Sequence, residues 1–249
     1  KSERSDIAKD LFPLMLETKK RLIGYISTEY IKDMGTPKRL STVERDIKSG
    51  KVTSLRKKMP KMAIFLDRDG TINKEVNHLS KQEKFELIDG VADAICKINS
   101  SGILAVVVTN QPAIARGELK EPELKVIHNK MDTLLGRQGA YIDRLYYCPH
   151  HTDSGFEGEI KALKFDCDCR KPKIGMFLQA KKDLNIILEE SWFIGDSTRD
   201  IFAAQNAGLK NILVRTGYAG NDRTYNVTPD FVAEDLNEAV QLILNGLGK

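Results

Sequence analysis

The chain has 249 residues, of which 41% are hydrophobic and 30% are charged, and its formal net charge is +4. This length and apolar content suffice for a sizeable hydrophobic core. No apolar run approaches the roughly 18 residues that a membrane-spanning helix needs, and residues 1–10 lack a signal-peptide pattern. The four cysteines suit metal binding in a reducing compartment better than a disulfide framework. We therefore expect a globular, cytoplasmic protein without membrane association.

The charge is distributed unevenly along the chain. Residues 1–61 carry 16 lysines and arginines against 8 acidic residues, so the remaining residues are acidic overall. The basic run at residues 56–58 has no interleaved aromatic side chains, which is typical of a solvated linker rather than of a nucleic-acid-binding segment. We predict no nucleic-acid partner.

The first 61 residues are too few to bury a core of their own. Their pattern predicts an amphipathic helix at residues 6–23, a turn at 35–37 and a second helix at about 41–47. The printed sequence does not begin with Met, so we expect residues 1–52 to be the tail of a larger domain. A basic linker at residues 53–61 then leads to a complete domain at residues 62–249.

From residue 62 onward, short apolar runs alternate with amphipathic stretches, which is the pattern of βαβ units and a parallel sheet. The predicted strands are residues 62–66, 103–109, 142–147, 191–195 and 211–215, with a weaker one at 230–233. The predicted helices are residues 91–100, 121–137, 175–185, 198–207 and 236–244. The fold class is therefore α/β, a three-layer Rossmann-like sandwich in which ligands bind at the carboxyl ends of the strands.

Two carboxylates, Asp67 and Asp69, follow the first predicted strand, and Gly70 and Thr71 come directly after them. Residues i and i+2 at a strand end project to the same side, so both acids can face one phosphate group. Asp67 is placed as the nucleophile of phosphoryl transfer, and Asp69 as the acid and base that serves the leaving oxygen and the attacking water. Two carboxylates repel a phosphate, so the site requires a cation. Mg²⁺ fits because it binds a few carboxylate oxygens and keeps several waters.

Further acidic residues end the strand at 191–195. Asp196 is the expected metal ligand, and Asp200, one helical turn later, is either an alternative ligand or a support for the ligands. Taken singly, either residue is equally well explained as a helix cap. Together with the Asp67 motif, they favour a metal site.

Two other segments offer groups for phosphate binding. Thr109 and Asn110 end the strand at 103–109 and present a hydroxyl and backbone N–H groups. Arg170, Lys171 and Lys173 supply the fixed positive charge that a phosphoryl group needs as its own charge develops. Each of these cations is a surface charge when considered alone, and only their combination with the other motifs predicts a phosphate site.

These four motifs, in this order and each at a strand end, resemble the haloacid dehalogenase superfamily over residues 62–249. The resemblance implies that Asp67 is the nucleophile, that Asp69 is the acid/base, and that Thr109 and a lysine stabilise the phosphoryl group. The magnesium ligands that we assign on this basis are Asp67, Asp69 and Asp196. Many members carry a cap domain, but the roughly twenty residues after Thr71 suffice only for a β flap. We therefore predict an open, cap-less site.

A second metal site is predicted after the third strand. A Cys-x-His pair and a Cys-x-Cys pair bracket sixteen residues, and three thiolates with one imidazole match a closed tetrahedral zinc site. The predicted ligands are Cys148, His150, Cys167 and Cys169. His151 is the alternative to His150, and Cys96, alone on an apolar helix face, is predicted to be core.

The cap-less core, the zinc loop and the Cys-Arg-Lys-Pro run resemble the heptose bisphosphate phosphatase and histidinol phosphatase branch, as do the runs at residues 65–73 and 108–111. By this resemblance, Lys171 stabilises the phosphoryl group and Arg170 recognises the substrate. The other substrate-binding residues implied are Glu75, Val76, Asn77, His78, Asn110, Gln111 and Pro112. The sequence departs from the branch at Ser197, where a basic residue often follows the metal-binding aspartate, so we expect the substrate contact to differ there.

The run at residues 29–37 resembles the closing segment of sugar nucleotidyltransferases, because it ends in an Asp-x-Gly-Thr-Pro turn. The Gly-rich loop that such an activity requires is absent from the printed sequence. The resemblance implies that residues 1–52 are the remnant of a nucleotidyltransferase domain that acts in cis with the phosphatase in the parent protein.

The sequence therefore predicts a Mg²⁺-dependent phosphatase with a structural Zn²⁺ and an aspartyl-phosphate intermediate. A nucleotidyltransferase consumes a sugar 1-phosphate, so the fused phosphatase is expected to spare that group. This favours a sugar bisphosphate substrate, D-glycero-D-manno-heptose 1,7-bisphosphate, preferentially the α anomer, which loses its 7-phosphate. A histidinol-phosphate phosphatase is the alternative with the same chemistry. A non-catalytic scaffold held by zinc is the alternative of another class, and the paired carboxylates argue against it.

Overall fold

The computed structural model describes residues 5–24 and 27–247, and a parallel β-sheet forms its centre. The strands are β1 Ala63–Leu66, β2 Leu104–Asn110, β3 Arg144–Cys148, β4 Trp192–Gly195, β5 Lys210–Val214 and β6 Phe231–Ala233. Their spatial order is β3-β2-β1-β4-β5-β6, and all pairings are parallel. The predicted sheet is confirmed, including the short strand at its β6 edge.

Helices cover both faces of the sheet. The helices are α1 Phe12–Glu17, α2 Pro37–Lys48, α3 Lys51–Ser54, α4 Val91–Ser101, α5 Glu121–Arg137, α6 Gly175–Leu184, α7 Thr198–Asn206 and α8 Leu236–Leu247. Buried residues of α4, α5 and α8 pack in one hydrophobic cluster, and those of α6 and α7 pack in another. The three-layer α/β class is therefore confirmed. Within the described ranges, no helix combines the length and the apolar character needed to cross a membrane.

The core of β1 shows why these strands read as continuous apolar runs. Ile64 and Leu66 belong to the cluster of α4, α5 and α8, whereas Ala63 and Phe65 belong to the cluster of α6 and α7. Successive strand residues point to opposite faces, and both faces are covered, so every position of β1 is buried.

The order of the strands positions the site. From β1 the chain moves outward through β2 and β3, and then returns to the other side of β1 with β4. The carboxyl ends of β1 and β4 thus lie side by side where the winding direction changes, which is where open α/β sheets bind ligands. Asp67 follows β1 and Asp196 follows β4.

The segment before the sheet differs from the prediction in two ways. The helix predicted at residues 6–23 is wrong in length, because a π-helical turn at Ile7–Leu11 leads into α1, which ends at Glu17. Neither part has a buried residue, so no packing extends the helix, and the Thr18 hydroxyl donates to the Leu14 carbonyl where it ends.

The second helix of the front segment is longer than predicted, because α2 begins at Pro37 behind the Thr36 cap. The predicted linker also contains regular structure, since the end of α3 overlaps its start. Its last residue, Lys61, exchanges backbone hydrogen bonds with Asn185 and Ile187 and so joins the sheet region.

Candidate active site

A cavity of about 380 Å³ lies at the carboxyl ends of the strands. The predicted residues that line it are Asp67, Asp69, Glu75, His78, Thr109, Asn110, Gln111, Pro112, Arg170, Lys171 and Asp196. Val76 and Asn77 are exposed and lie outside this lining. The loop between β1 and α4 makes one antiparallel bridge, between Asn73 and Leu87, where the sequence predicted a β flap. Glu75, His78 and Leu79 of this loop line one part of the cavity.

Three carboxylates and one ammonium meet at the floor of the cavity. Carboxylate oxygens of Asp67, Asp196 and Asp200 lie within 4.8 Å of one another. Lys171 Nζ is 3.0 Å from Asp67 Oδ1 and 2.7 Å from Asp200 Oδ1. The Arg68 N–H also donates to Asp67 Oδ1, so one oxygen of Asp67 is oriented by the protein. No described group donates to its Oδ2, which is left for a ligand.

The charges of this cluster do not balance. Burial and the neighbouring Asp200 raise the pKa of Asp67 to about 7, and burial, Asp200 and Asp67 raise the pKa of Asp196 to about 9. Burial disfavours the Lys171 ammonium, but Asp200 and Asp67 outweigh it and hold the pKa of Lys171 above its usual value. A divalent cation would relieve the remaining repulsion, and a set of carboxylate oxygens is the donor set that Mg²⁺ prefers. These residues therefore fit a magnesium ion.

Asp69 is held apart from this cluster. Its Oδ1 and Oδ2 accept hydrogen bonds from Arg68, Asn73 and Gln111 at 2.7 to 3.2 Å. Burial opposes its ionisation, but the Arg68 guanidinium and these hydrogen bonds outweigh burial and hold its pKa below the usual range. Both oxygens of Asp69 are thus hydrogen-bonded, and the acidic side chains that lie close enough together to share a metal ion are Asp67, Asp196 and Asp200. The assignment of Asp69 as a magnesium ligand stays a prediction.

Arg68 gives Asp69 this environment, and the sequence analysis gave Arg68 no role. It is fully buried, and its Nη1 lies 3.2 Å from His128 Nε2. Burial and the adjacent guanidinium lower the pKa of His128 to about 3, so this imidazole stays neutral and accepts the hydrogen bond.

Two glycines make room for the Asp196 carboxylate. Gly70 and Gly217 both have positive φ values, and a Cβ built on either one would overlap Asp196 Oδ2. The same oxygen accepts a hydrogen bond from the Tyr218 N–H at 2.7 Å. The predicted Asp-x-Asp-Gly motif therefore needs its glycine so that the backbone can approach the second carboxylate.

The groups predicted to bind phosphate are ordered by one another. Thr109 is buried, and its Oγ1 accepts a hydrogen bond from Gln111 Nε2 at 3.0 Å. Asn110 pairs with the backbone of Lys171 through two hydrogen bonds of 3.0 Å. The carboxyl end of β2 thus fixes the position of the lysine beside Asp67. Lys173, the third predicted cation, instead forms an exposed ion pair with Asp166.

Ser197 and Asp200 have a clear local role. They form a capping box at the start of α7, in which Ser197 Oγ donates to Asp200 Oδ2 at 2.6 Å. Both Asp200 oxygens are therefore hydrogen-bonded, one to Ser197 and the other to Lys171. Of the two roles predicted for Asp200, the supporting one fits this arrangement better.

Five residues of the cavity wall were missed by the sequence analysis: the apolar Leu79 and Ala113, and the polar Arg199, Tyr218 and Asp222. Arg199 lies near Arg170, whose pKa is lowered by burial and by the Arg199 charge. Within the described residues, no group donates to, accepts from or pairs with the Arg199 side chain. Tyr218 and Asp222 follow β5. Because the carboxyl end of β5 lies at the same edge of the sheet as those of β1 and β4, the sequence could have predicted that residues after β5 line the cavity.

The four predicted zinc ligands converge at the end of β3 and in the segment that leads to α6. We call residues 148–169 the zinc loop. The three sulfurs lie 3.2 to 3.5 Å apart, and His150 Nδ1 is 3.2 Å from Cys169 Sγ. A tetrahedral zinc ion with Zn–S bonds of about 2.3 Å holds its sulfurs about 3.8 Å apart. The donors therefore need only a small outward shift to bind zinc.

The structure distinguishes between the two histidines. His150 Nδ1 points into the cysteine cluster, whereas His151 is buried on the other side, where its Nε2 lies 3.1 Å from Arg116 Nη2. Hydrogen bonds from Cys148, and also from Cys167 and His150, lower the pKa of Cys169 to about 5. Cys96 lies outside the cluster and is half-buried against the core of α4, α5 and α8.

We predict that Gly70→Ala weakens Mg²⁺ binding. The new methyl group would displace the Asp196 carboxylate, so the Mg²⁺ concentration for half-maximal hydrolysis of p-nitrophenyl phosphate should rise at least about tenfold. Gly90→Ala is the matched control, because Gly90 has nearly the same φ but open space around its Cβ. It should cost about 1 kcal/mol of stability and leave the Mg²⁺ requirement unchanged. Equal Mg²⁺ requirements in both variants would contradict the inference that Gly70 makes room for the Asp196 carboxylate.

We predict that the purified protein contains one zinc per chain and that Cys167→Ser loses it. Removing one of four ligands should lower the free energy of unfolding by about 3 kcal/mol or more. Cys96→Ser is the control and should retain zinc, with a cost below about 1 kcal/mol. Metal analysis and urea denaturation test both. Retention of full stability by Cys167→Ser, or a protein prepared without chelators that holds no zinc, would show that the cluster is not a zinc site.

Three comparisons connect this geometry with known proteins. Residues 168–239 match the HAD-hydrolase-like family. The D-glycero-beta-D-manno-heptose-1,7-bisphosphate 7-phosphatase of Haemophilus ducreyi is 44% identical over 163 residues, which are 65% of this chain and 87% of that protein. The enzyme of the same name from Escherichia coli K12 is 40% identical over 183 residues, with coverage of 73% and 93%.

A solved structure agrees with these relatives. The D,D-heptose 1,7-bisphosphate phosphatase of B. bronchiseptica, complexed with magnesium and phosphate, aligns with a TM-score of 0.65 and 30% identity. The alignment covers 74% of this chain and 99% of that one. The chain therefore belongs to the HAD-like phosphatase family of D-glycero-D-manno-heptose-1,7-bisphosphate 7-phosphatases, which are phosphoric monoester hydrolases.

Proposed function

We propose that this phosphatase removes the 7-phosphate of D-glycero-D-manno-heptose 1,7-bisphosphate through an aspartyl-phosphate on Asp67. The observation that carries the mechanism is the arrangement of Asp67. One of its oxygens is held by Lys171 and by the Arg68 N–H, and the other has no donor among the described residues at the floor of an open cavity. A carboxylate that is oriented and also accessible is suited to attack phosphorus.

In the first step, a carboxylate oxygen of Asp67 forms the bond to phosphorus, and the bond from phosphorus to the sugar oxygen breaks. Asp69 gives its proton to that leaving oxygen. Arg68 holds Asp69 ionised in the free protein, and the negative charge of a bound phosphate ester favours its protonation before this step. Lys171 and the Thr109 hydroxyl face the phosphoryl oxygens and stabilise the charge that develops there.

In the second step, water attacks the phosphorus of the aspartyl-phosphate. Asp69, now ionised, takes a proton from this water, and Asp67 leaves as the free carboxylate. The hydrogen bonds from Arg68, Asn73 and Gln111 keep Asp69 in place for both proton transfers. The low pKa of Asp69 in the free protein suits its return to the ionised form.

Magnesium would be held by Asp67 and Asp196, with Asp200 as support through Lys171. When bound, it supplies positive charge that offsets the repulsion between the carboxylates and the phosphate. Zinc, held by the four ligands of its loop, would have a structural role, because Cys169 directly precedes Arg170 and Lys171.

The retained phosphate of the substrate has a matching pair of cations. Arg170 and Arg199 line the same cavity as the carboxylates and also border an adjoining groove of about 440 Å³. Two guanidinium groups that repel each other favour a dianion between them. Histidinol phosphate carries no second phosphate, so this pair supports the sugar bisphosphate over that alternative.

The anomer and the front segment belong together in this proposal. The names of the two related enzymes specify the β anomer of the substrate. The predicted preference for the α anomer rests on the resemblance of residues 29–37 to a nucleotidyltransferase tail. We retain both the domain division at residues 1–52, 53–61 and 62–249 and the cis transferase as proposals.

A cytoplasmic location fits the use of unpaired cysteines as metal ligands.

We predict that the chain, supplied with Mg²⁺, hydrolyses heptose 1,7-bisphosphate faster than histidinol phosphate and leaves the 1-phosphate in place. The measurement is the phosphate release rate for both anomers, with the remaining phosphate located by phosphorus NMR. Loss of the 1-phosphate, or faster hydrolysis of histidinol phosphate, would overturn the proposal. Faster hydrolysis of the β anomer would remove the α preference alone.

We predict that Arg199→Ala weakens binding of the bisphosphate, because it removes one member of the Arg170–Arg199 pair. Arg137→Ala is the control, since it removes an exposed arginine outside the cavity lining. Losing a charged contact worth about 1.5–3 kcal/mol should raise KM for the bisphosphate by about 10-fold to 100-fold in Arg199→Ala. The same variant should bind heptose 7-phosphate, which lacks the second phosphate, almost as the unmodified chain does. Equal effects on both substrates would contradict the assignment.

A further inference from the structure

We propose that Arg116 is a positioning residue that ties the substrate loop, residues 75–78, to the zinc loop and thereby sets the affinity for the sugar. Arg116 lies in the connection between β2 and α5, outside the cavity lining. The inference rests on the proposed function in one respect, because it treats the substrate loop as a contact of the sugar.

On one side, Arg116 contacts the substrate loop. Its Nη1 lies 2.8 Å from His78 Nε2, and His78 Nδ1 lies 3.4 Å from Glu118 Oε2. Arg116 Nη1 also lies 3.2 Å from His78 Nδ1, so the guanidinium donates to the ring nitrogen that carries the lone pair. His78 is thus held from two sides by residues of the β2–α5 connection, although its own side chain is 38% exposed.

The substrate loop needs such external support. Asn77 and His78 both have positive φ values, which are uncommon for residues other than glycine and which cost free energy unless the surroundings fix them. Glu75 and His78 face the cavity, and Leu79 directly after them is buried. The contacts of His78 therefore determine the position of the substrate loop at the cavity wall.

On the other side, Arg116 contacts the zinc loop. Its guanidinium lies 4.6 Å above the ring of Phe156, and its Nη2 lies 3.1 Å from His151 Nε2. The Asp153 N–H also faces the His151 ring, at 3.0 Å from Nδ1, and a neutral imidazole accepts from only one of these donors. The Phe156 ring, which also lies 4.5 Å from Lys164 Nζ, offers Arg116 a contact for which no other hydrogen-bond donor among the described residues competes.

The zinc loop is bound to the same connection through its backbone. The Ile160 N–H donates to the Ala115 carbonyl at 3.0 Å, next to Arg116, and the His151 N–H donates to the Leu163 carbonyl at 3.3 Å. His151 directly follows the zinc ligand His150. The zinc loop thus contacts the substrate loop through the Arg116 side chain, so the position of one loop affects the position of the other.

The Nε atom of Arg116 indicates that folding stability alone does not explain the position of this side chain. Its Nε is buried and has no hydrogen-bond partner among the described residues. Leaving a buried donor unsatisfied costs free energy, and each such group in a folded protein calls for a reason. Reaching His78 and the zinc loop at the same time supplies that reason.

The test is a double-mutant cycle on the full chain with Arg116→Ala, His78→Ala and the double variant. Arg116→Ala should raise KM for the heptose bisphosphate about tenfold, with zinc still at one per chain. Its kcat for p-nitrophenyl phosphate, which lacks the sugar that the substrate loop is proposed to contact, should change less than about threefold. The double variant should have nearly the same KM as either single variant, because both remove the same contact.

Arg116→Lys adds a readout that a general loss of stability does not give. A lysine keeps the charge but lacks the fork that spans two partners, so it should restore less than half of the lost affinity. Equal kcat losses for both substrates, loss of zinc, or additive KM effects in the cycle would overturn the inference. If Arg116→Ala does not fold, Arg116→Lys must still raise KM for the heptose bisphosphate without a matching loss of kcat for p-nitrophenyl phosphate.

The two proposals fail in different ways. An unmodified chain that does not hydrolyse the heptose bisphosphate contradicts the proposed function, whereas an unmodified chain that does, combined with an Arg116→Ala variant of unchanged KM, contradicts only the role of Arg116.

Discussion

The site depends on a charge imbalance, since one buried ammonium, that of Lys171, faces the carboxylates of Asp67, Asp196 and Asp200. Burial and the repulsion that remains raise the pKa of Asp67 and of Asp196, and they make the cluster a place for a divalent cation. Other features follow from keeping the carboxylates close together. Glycines flank Asp196 because larger residues would displace it, and the capping box of α7 fixes Asp200. The parallel sheet contributes the junction of β1 and β4, where two strand ends lie side by side.

In the proposed function, zinc bound to its loop would help to order an open site that has no cap domain. Cys169 is followed at once by Arg170 and Lys171, and the Asn110 side chain clamps the Lys171 backbone from β2. The lysine beside Asp67 is therefore fixed from two directions. Through Arg116, the same loop also contacts the substrate loop on the opposite wall. In the proposed function, one zinc-stabilised segment would thus order both the phosphate-binding cations and a wall of the sugar site.

The sheet and the reacting residues could be predicted from the sequence, because both leave local signals. β1, β2 and β4 are buried on both faces and therefore read as unbroken apolar runs, and the Asp67 pair has a spacing that only a strand end explains. The helix at residues 6–23 was overestimated because its apolar pattern has nothing to pack against. Arg116 and Arg199 left no local signal, since their roles arise from segments that are distant in sequence. The buried Arg68, which donates to both oxygens of Asp69, was given no role from the sequence, and the magnesium role of Asp69 stays a prediction.

The most direct test of the central claim is chemical trapping of the phosphorylated enzyme. An aspartyl-phosphate is an activated ester that borohydride reduces to homoserine, whereas a free aspartate does not react. The chain should be mixed with substrate and Mg²⁺, quenched within one turnover, reduced and analysed by peptide mass spectrometry. The account predicts homoserine at position 67 and none in the Asp67→Asn variant. Full turnover without homoserine at position 67, or homoserine at another aspartate, would contradict it.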